Sequence, residues 1–197
     1  MTKKLLKLDL GCGANPIHGY LGIDIGYKKP NIIQSDVFSY LRKTKKNSVS
    51  HIYSRHYLEH ETSENIIKLM KEIDRVLIKQ GEMIFIVPHF SNPYYYSDPT
   101  HKTPWGIHSF SYFVEKNCLK RKVPSYILIR GWELRDVSIR FISFFNFSVF
   151  GFKLPNIATI LNLLINTHPL IIEFFERYFS FIFSIYEVKF IIKKIKN

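Results

Sequence analysis

Short apolar runs that close on a glycine or an acid place the strongest constraint on this chain. Residues 5–10 end at Gly11, residues 21–25 close on Asp24 and Ile25, and residues 31–37 run past Asp36. Residues 49–54 make a fourth run, and residues 81–87 (GEMIFIV) make the clearest one. None alternates strictly between polar and apolar, the pattern expected of parallel strands covered on both faces. Between the last two runs, Ile66, Leu69, Met70, Ile73, Val76 and Leu77 recur at helical spacing. Thr62 or Ser63 can cap the start of that helix, with Glu61 and Glu64 near its positive end. Lys79 then falls in its last turn, and Gly81 is expected at the left-handed C-terminal position. Strand, helix, glycine, strand is a crossover unit of an α/β sheet.

After Val87 the character changes. Residues 88–104 (PHFSNPYYYSDPTHKTP) read as a long functional loop. Residues 109–117 are expected to start a helix, Gly131 to precede a sixth strand over 134–145, and residues 188–195 to close the sheet. Pro169 suits a helix start. Beyond it, Glu173, Glu176, Arg177, Ser180 and Ser184 form one polar stripe on a surface otherwise of Ile, Phe and Tyr. That apolar surface is expected to bury against a sheet, a partner or a lipid surface.

A chain of 197 residues suits one domain. Its net charge of +12 favours anionic partners. Lys, Ile, Asn, Phe and Tyr are enriched together, however, as AT-rich coding produces, so the charge is a weak pointer. The two cysteines, Cys12 and Cys118, make neither a disulfide framework nor a zinc spacing. The N-terminus lacks the long apolar segment of a secretory signal, and a reducing cytoplasm is expected. Residues 154–172 are uncharged over the length of a membrane span. They contain Pro155, Pro169, Asn156, Asn162, Asn166 and His168, which a spanning helix tolerates poorly. Contact with the inner face of a membrane through the C-terminal region is the alternative kept for them.

The segment LDLGCGANPIHGYLGIDI (residues 8–25) presents a strand, a glycine loop and a second strand closing on an acid. Glycines there let a ligand approach the main chain. A dinucleotide does not fit. Pro16 replaces the third glycine of G-x-G-x-x-G, and Asp24 arrives well short of the roughly 20 residues such an acid requires. A phosphate loop is also absent. A cofactor with a ribose and a base but no phosphate remains. Asp24 can accept from its ribose hydroxyls and Asp36 from an exocyclic amino group. Either aspartate alone also suits a helix cap or a turn.

These residues resemble a known family. LDLGCG (8–13), GIDI (22–25), SDVF (35–38), YLEH (57–60) and EIDRVLIKQGEMIFIVP (72–88) are similar to class I S-adenosylmethionine-dependent methyltransferases of the methyltransferase type 11 sort. The resemblance implies a Rossmann-like α/β fold. Its sheet has seven strands in the order 3-2-1-4-5-7-6, the last antiparallel, with helices on both faces. It implies a cofactor-binding half over 1–88, an acceptor loop and helix over 89–133, and C-terminal strands with a helical lid over 151–184. It implies S-adenosylmethionine as cofactor and S-adenosylhomocysteine as product. Asp9, Gly11, Cys12 and Gly13 would hold the methionine part. Asp24 and Ile25 would lie at the ribose, Asp36 and Val37 at the adenine, and Ser54, Arg55 and His56 beside the sulfonium. The short link from Gly13 to Asp24 implies a shortened first helix.

Methyl transfer to a hydroxyl needs water excluded, an aligned acceptor and a proton acceptor. The position after the fourth strand reads SRHYLEH, without the [N/D]-P-P-[Y/F] motif of nucleobase amino methylation. The loop holds His89, Asp98, His101 and His108 among Tyr94, Tyr95, Tyr96 and Trp105. Such a set suits a sugar or aromatic acceptor. His101 or His89 is the expected base, with Asp98 fixing the ring. A divalent ion held among His56, His60, His89, Asp98 and His101 is an alternative that spacing does not establish, and no metal is assigned. The function expected is O-methylation of a small molecule, a sugar of surface polysaccharide biosynthesis. A lipid or quinone acceptor at the membrane surface and a non-catalytic partner subunit of the same fold are the alternatives. Nucleic acid is not an expected partner, for no RNA-binding module is visible.

Overall fold

The computed structural model describes residues 5–124, 127–141, 148–149, 152–153 and 157–196. Strands β1 (Leu6–Leu10), β2 (Leu21–Asp24), β3 (Ile32–Gln34), β4 (Val49–Arg55) and β5 (Leu77–Pro88) pair in parallel. They are followed in the chain by β6 (Val114–Asn117), β7 (Ile129–Arg140), the short pair β8 (Ser148–Val149) and β9 (Phe152–Lys153), and β10 (Glu187–Lys194). The main sheet has eight strands in the order β3-β2-β1-β4-β5-β10-β7-β6. The expected order is therefore present, with β10 antiparallel to both β5 and β7. Strand order reverses at β1 and β4, where an open α/β sheet offers a crevice at its carboxyl ends.

The eighth strand corrects the expected helix over 109–117. That segment is a 3-10 turn (Ser109–Tyr112) followed by β6, which pairs in parallel with β7. Phe110 decides this: it is fully buried, stacked 5.0 Å from Phe85 and set edge-on 4.7 Å from Phe190. One aromatic anchor on the sheet pins the turn and sends the following residues along its edge.

Helix α1 (Val37–Lys43) is capped by Asp36, and α2 (Ser63–Val76) by Thr62. The expected face of α2 is its buried face: Ile66, Leu69, Met70, Ile73 and Val76. Its end differs from expectation. The helix stops at Val76, Leu77 already pairs with Val49, and Lys79 and Gly81 belong to β5. The buried Lys194 ammonium on β10 reaches the Asp74 and Leu77 carbonyls at 2.6 and 3.1 Å, so the helix end is satisfied from across the sheet. Arg75 likewise donates to the Leu41 and Thr44 carbonyls at the end of α1.

No helix stands between β1 and β2, which corrects the shortened helix expected there. The ring of Tyr20 instead lies edge-on to His51 and Tyr53 and beneath the Lys7 ammonium. On that face of β1 and β4 a loop side chain does the covering expected of a helix. In β5 the burial also alternates, Met83, Phe85 and Val87 being buried and Glu82, Ile84 and Ile86 half-buried.

Residues 154–172 resolve into α3 (Ile157–Ile165) and the start of α4 (Pro169–Phe179), and their first residues lie outside the described ones. No helix among the described residues is long and apolar enough to cross a membrane. The asparagines are used as backbone partners. Asn166 accepts from the Ile139 amide and donates to its carbonyl, and Asn162 accepts from the Phe141 amide. The sixth strand starts earlier than expected, and residues 142–145 of that expectation lie outside the described residues. Glu173, Glu176 and Ser180 of the expected polar stripe turn inward, while Arg177 and Ser184 are exposed. Glu173 accepts from the Lys120 and Arg121 amides, and Glu176 from the Ile107 amide. Phe174, Tyr178, Phe181 and Ile182 are exposed instead.

Candidate functional site

The carboxyl ends of β1 and β2 meet in a cradle built by two aspartates. Asp24 Oδ2 accepts the Gly13 amide at 2.7 Å, and its Oδ1 accepts the Gly26 amide at 2.8 Å. A carboxylate offers about four acceptor positions, so two remain for hydroxyl donors. Asp9 is buried and accepts the Ile17 amide at 2.8 Å. Burial pushes its carboxyl up to about 6 against the Ile17 hydrogen bond, and the Asp24 charge adds to the rise. Gly13 has φ +58° with nothing within 4 Å of where a Cβ would stand, so its main chain faces open space. At Gly11 (φ +65°) a Cβ would meet the Tyr57 ring at 2.5 Å. Only glycine permits both that backbone and that contact. The Cys12 thiol packs on Gly22, where a Cβ would lie 2.6 Å from Sγ, and burial raises the thiol to about 11, with Asp9 and Asp24 adding to the rise.

The remaining residues expected at the cofactor divide. Ile25 is exposed beside Asp24, whereas the Val37 side chain is in the core. Asp36 Oδ2 accepts the Ser39 amide at 2.8 Å as the cap of α1. It lies close enough to Tyr57, as Asp24 does, for its charge to act on that phenol. Burial, then the charge and hydrogen bond of Glu61, then Asp36 and Asp24 raise the Tyr57 phenol far above its usual range. Tyr57 is thus a site residue that the sequence reading passed over, although the narrow tolerance at Gly11 signals a large neighbour. Ser54 is buried, donating to the Leu10 carbonyl at 2.9 Å. Arg55 and His56 turn toward β10, where Glu187 Oε2 lies 3.3 and 2.9 Å from their side chains and Arg140 Nε is 2.7 Å from Oε1. Burial works to raise the Glu187 carboxyl, but the His56 and Arg140 hydrogen bonds and the Arg140 and Arg55 charges outweigh it and hold it at about 2. His56 has φ +54°, the kind of backbone strain that concentrates at functional sites.

The loop after β5 separates the expected bases. His89 is fully buried; its Nδ1 accepts the Ser91 amide at 3.0 Å, and its Nε2 donates to Glu176 at 2.9 Å. With both nitrogens engaged it fastens α4 to the sheet end. Asp98 caps its own turn, accepting from the Thr100 amide and hydroxyl at 2.8 and 2.6 Å. The ring of His101 has the Tyr95 carbonyl 2.8 Å from Nδ1 and Asp98 Oδ2 3.6 Å from Nε2, so both groups flank it. His101 also packs edge-on against His60, with centroids 4.8 Å apart. Glu59, unnoticed in the sequence, is fully buried beside them, and neither carboxylate oxygen has a hydrogen-bond partner. Burial raises Glu59 to about 7 and lowers His60, the latter helped by His101.

No family model and no curated protein matches the chain. Solved structures do. A SAM-dependent methyltransferase from Archaeoglobus fulgidus superposes with a TM-score of 0.60 at 20% identity, over 98% of this chain and 87% of that one. The methyltransferase bound to the Trm112 methyltransferase activator of Haloferax volcanii gives 0.54 at 13% identity, over 100% and 85%. The phosphoethanolamine N-methyltransferase 2 of Haemonchus contortus, in complex with phosphomonomethylethanolamine and S-adenosylhomocysteine, gives 0.52 at 12% identity, over 100% of this chain and 50% of that one. Sheet order, antiparallel closing strand and these superpositions together give this chain the Rossmann-like fold of the S-adenosylmethionine-dependent methyltransferases.

Proposed function

We propose that the chain is an S-adenosylmethionine-dependent methyltransferase that O-methylates a small molecule, a sugar hydroxyl of surface polysaccharide biosynthesis. The observation carrying this reading is Asp24, which ties β2 to the glycine loop through the Gly13 amide and keeps acceptor positions for a ribose diol. Bound S-adenosylmethionine supplies an electrophilic methyl group. The chain supplies the rest. Asp9 offers a desolvated carboxylate to an ammonium, Tyr57 covers the Gly11 turn, and residues 1–88 form the cofactor half. The Glu59–His60–His101 cluster would serve the acceptor, with Tyr95 packed on the His101 ring. Type 11 membership belongs to the same reading.

Calorimetry with S-adenosylhomocysteine tests the cofactor assignment: stoichiometric binding is expected, weakened in Asp24→Ala. Absence of binding by the folded chain overturns it. Transfer of labelled methyl from S-adenosylmethionine to saccharide acceptors tests the substrate.

A second reading, a lipid acceptor at a membrane surface, draws on the exposed Phe174, Tyr178, Phe181 and Ile182 and on a nearby cavity of 270 Å³ lined by Tyr94, Phe141, Phe183 and Tyr186. Sedimentation with anionic vesicles, lost in Phe174→Ser/Phe181→Ser, would favour it over the saccharide.

A further inference from the structure

We propose that Glu59, His60 and His101 form a binding site for one divalent transition-metal ion of the zinc class, with Asp98 at its rim. The three residues bring one potential ligand atom each to within 4.8 Å of one another. Donors sharing such an ion lie roughly 3–4 Å apart, as metal–nitrogen and metal–oxygen bonds of about 2 Å require, so closure by about an ångström completes the site.

Three independent features of the cluster point to a cation. The first is Glu59. Its side chain is fully buried, and both carboxylate oxygens lack any hydrogen-bond partner. A buried carboxylate normally takes a donor or a cation, and an orphan of this kind calls for a missing partner. Its main chain is held firmly, since its carbonyl accepts the Lys102 amide at 2.7 Å and the Thr103 amide at 3.2 Å. The loop carrying His101 is thereby tied to the turn carrying Glu59 and His60.

The second feature is the protonation pattern of the two rings. His101 Nδ1 lies 2.8 Å from the Tyr95 carbonyl, which can only accept, so the proton is on Nδ1. His60 Nδ1 lies 2.8 Å from Thr100 Oγ1. The Thr100 hydroxyl proton is already given to Asp98 Oδ1 at 2.6 Å, so His60 Nδ1 is the donor in that pair. In the neutral form of each ring the lone pair is then on Nε2. A carbonyl or a hydroxyl–carboxylate relay behind Nδ1 is the arrangement that orients a metal-ligating imidazole.

The third is Asp98. Its Oδ2 faces His101 Nε2 at 3.6 Å, with 42% of its side chain exposed. Two acceptors turned toward each other are held together by a cation or a proton between them. Two imidazoles and one or two carboxylates suit zinc or a neighbouring divalent metal, with the remaining positions open to water or a hydroxyl. On the methyltransferase reading, which this clause alone rests on, that open position is where an acceptor hydroxyl would sit, and His101 is a ligand rather than a free base.

The test uses the full chain stripped with a chelator, without S-adenosylmethionine. Zn²⁺ is titrated in competition with a chromophoric chelator, and Co²⁺ is followed by its visible absorption. One equivalent of Zn²⁺ and a Co²⁺ spectrum of nitrogen–oxygen coordination are expected. Glu59→Gln and His101→Ala should weaken binding by more than the roughly 10–100-fold that outer partners contribute, and Thr100→Val by about that range. Zn²⁺ should also raise the melting temperature of the parent, but not of Glu59→Gln. Glu59→Gln keeps the side-chain shape, so its circular dichroism checks the fold should His101→Ala fail to fold. No stoichiometric binding overturns the proposal. So does full affinity in Glu59→Gln, or loss of binding in His56→Ala alone, which would put the ion at Glu187. Zinc failure with S-adenosylhomocysteine still bound leaves the methyltransferase reading in place; the reverse result removes that reading and keeps the metal site.

Discussion

Glu187 and Glu59 are both buried, yet their surroundings differ in kind. Around Glu187, Arg55, His56 and Arg140 converge from β4, the turn after it and β7, tying the β4 end to the closing strand. Around Glu59 stand two imidazoles with their Nδ1 atoms turned to other partners, and its oxygens have none. The carboxyl at the first place is held at about 2 and at the second raised to about 7, although burial acts upward on both. Burial alone therefore does not say what a buried acid is for. The partners do. An acid whose acceptor positions are filled by the protein is architecture, and one left unfilled is available to a ligand.

The largest expected effect breaks the architectural side. Glu187→Ala leaves two guanidiniums without their counter-charge and the His56 ring without its hydrogen-bond partner, and should cost about 2–3 kcal/mol in denaturant unfolding at neutral pH, since both guanidiniums are half exposed and screened. The sign with pH follows from the lowered carboxyl. Its contribution is complete above the ordinary 4.5 and is lost as pH falls toward 2, about 2 kcal/mol after screening. A parent unfolding curve flat across that window would remove the hub.

Asp24→Ala comes next, with cofactor affinity weakened by about 2 kcal/mol in calorimetry because charge-assisted hydrogen bonds are lost. Asp9 sharpens the contrast through pH. Its carboxyl, raised to about 6, is the charged partner for an ammonium only above that value. S-adenosylmethionine affinity should therefore fall roughly fivefold between pH 6 and 5, and Asp9→Asn should abolish that slope. Asp36→Ala should cost about 1 kcal/mol of stability as a lost helix cap. Asp36→Asn keeps the cap, so any affinity it loses measures contact with the base. No loss is expected in Glu59→Gln, whose metal-free stability at neutral pH should equal or exceed the parent's in denaturant melts, because no native hydrogen bond is removed and burial already opposes the charged carboxylate. A large loss there would move Glu59 to the architectural side.

Local sequence carried much of this arrangement. The apolar runs ending at Gly11 and Asp24 read correctly as strands, because a strand end and a tight glycine turn are set by neighbouring residues; the run over 31–37 is a strand only to Gln34, with Asp36 capping an α1 that was not expected. The buried stripe of α2 was legible for the same reason. Its end was not, because the group that satisfies its carbonyls, Lys194, comes from the far end of the chain. The inward turn of Glu173 and Glu176 on α4 was not legible because their partners, backbone amides and His89, lie in distant loops.

By itself the sequence determined the strand-and-glycine scaffold, the acids that close it and the exclusion of a phosphate-bearing dinucleotide, since these follow from periodicity, spacing and backbone freedom. The tertiary structure alone decided which acids are filled and which are left open. Hydrogen-bond partners are chosen by folding across residues far apart in the chain, and no local pattern states that Arg140 meets Glu187 or that His101 reaches Glu59.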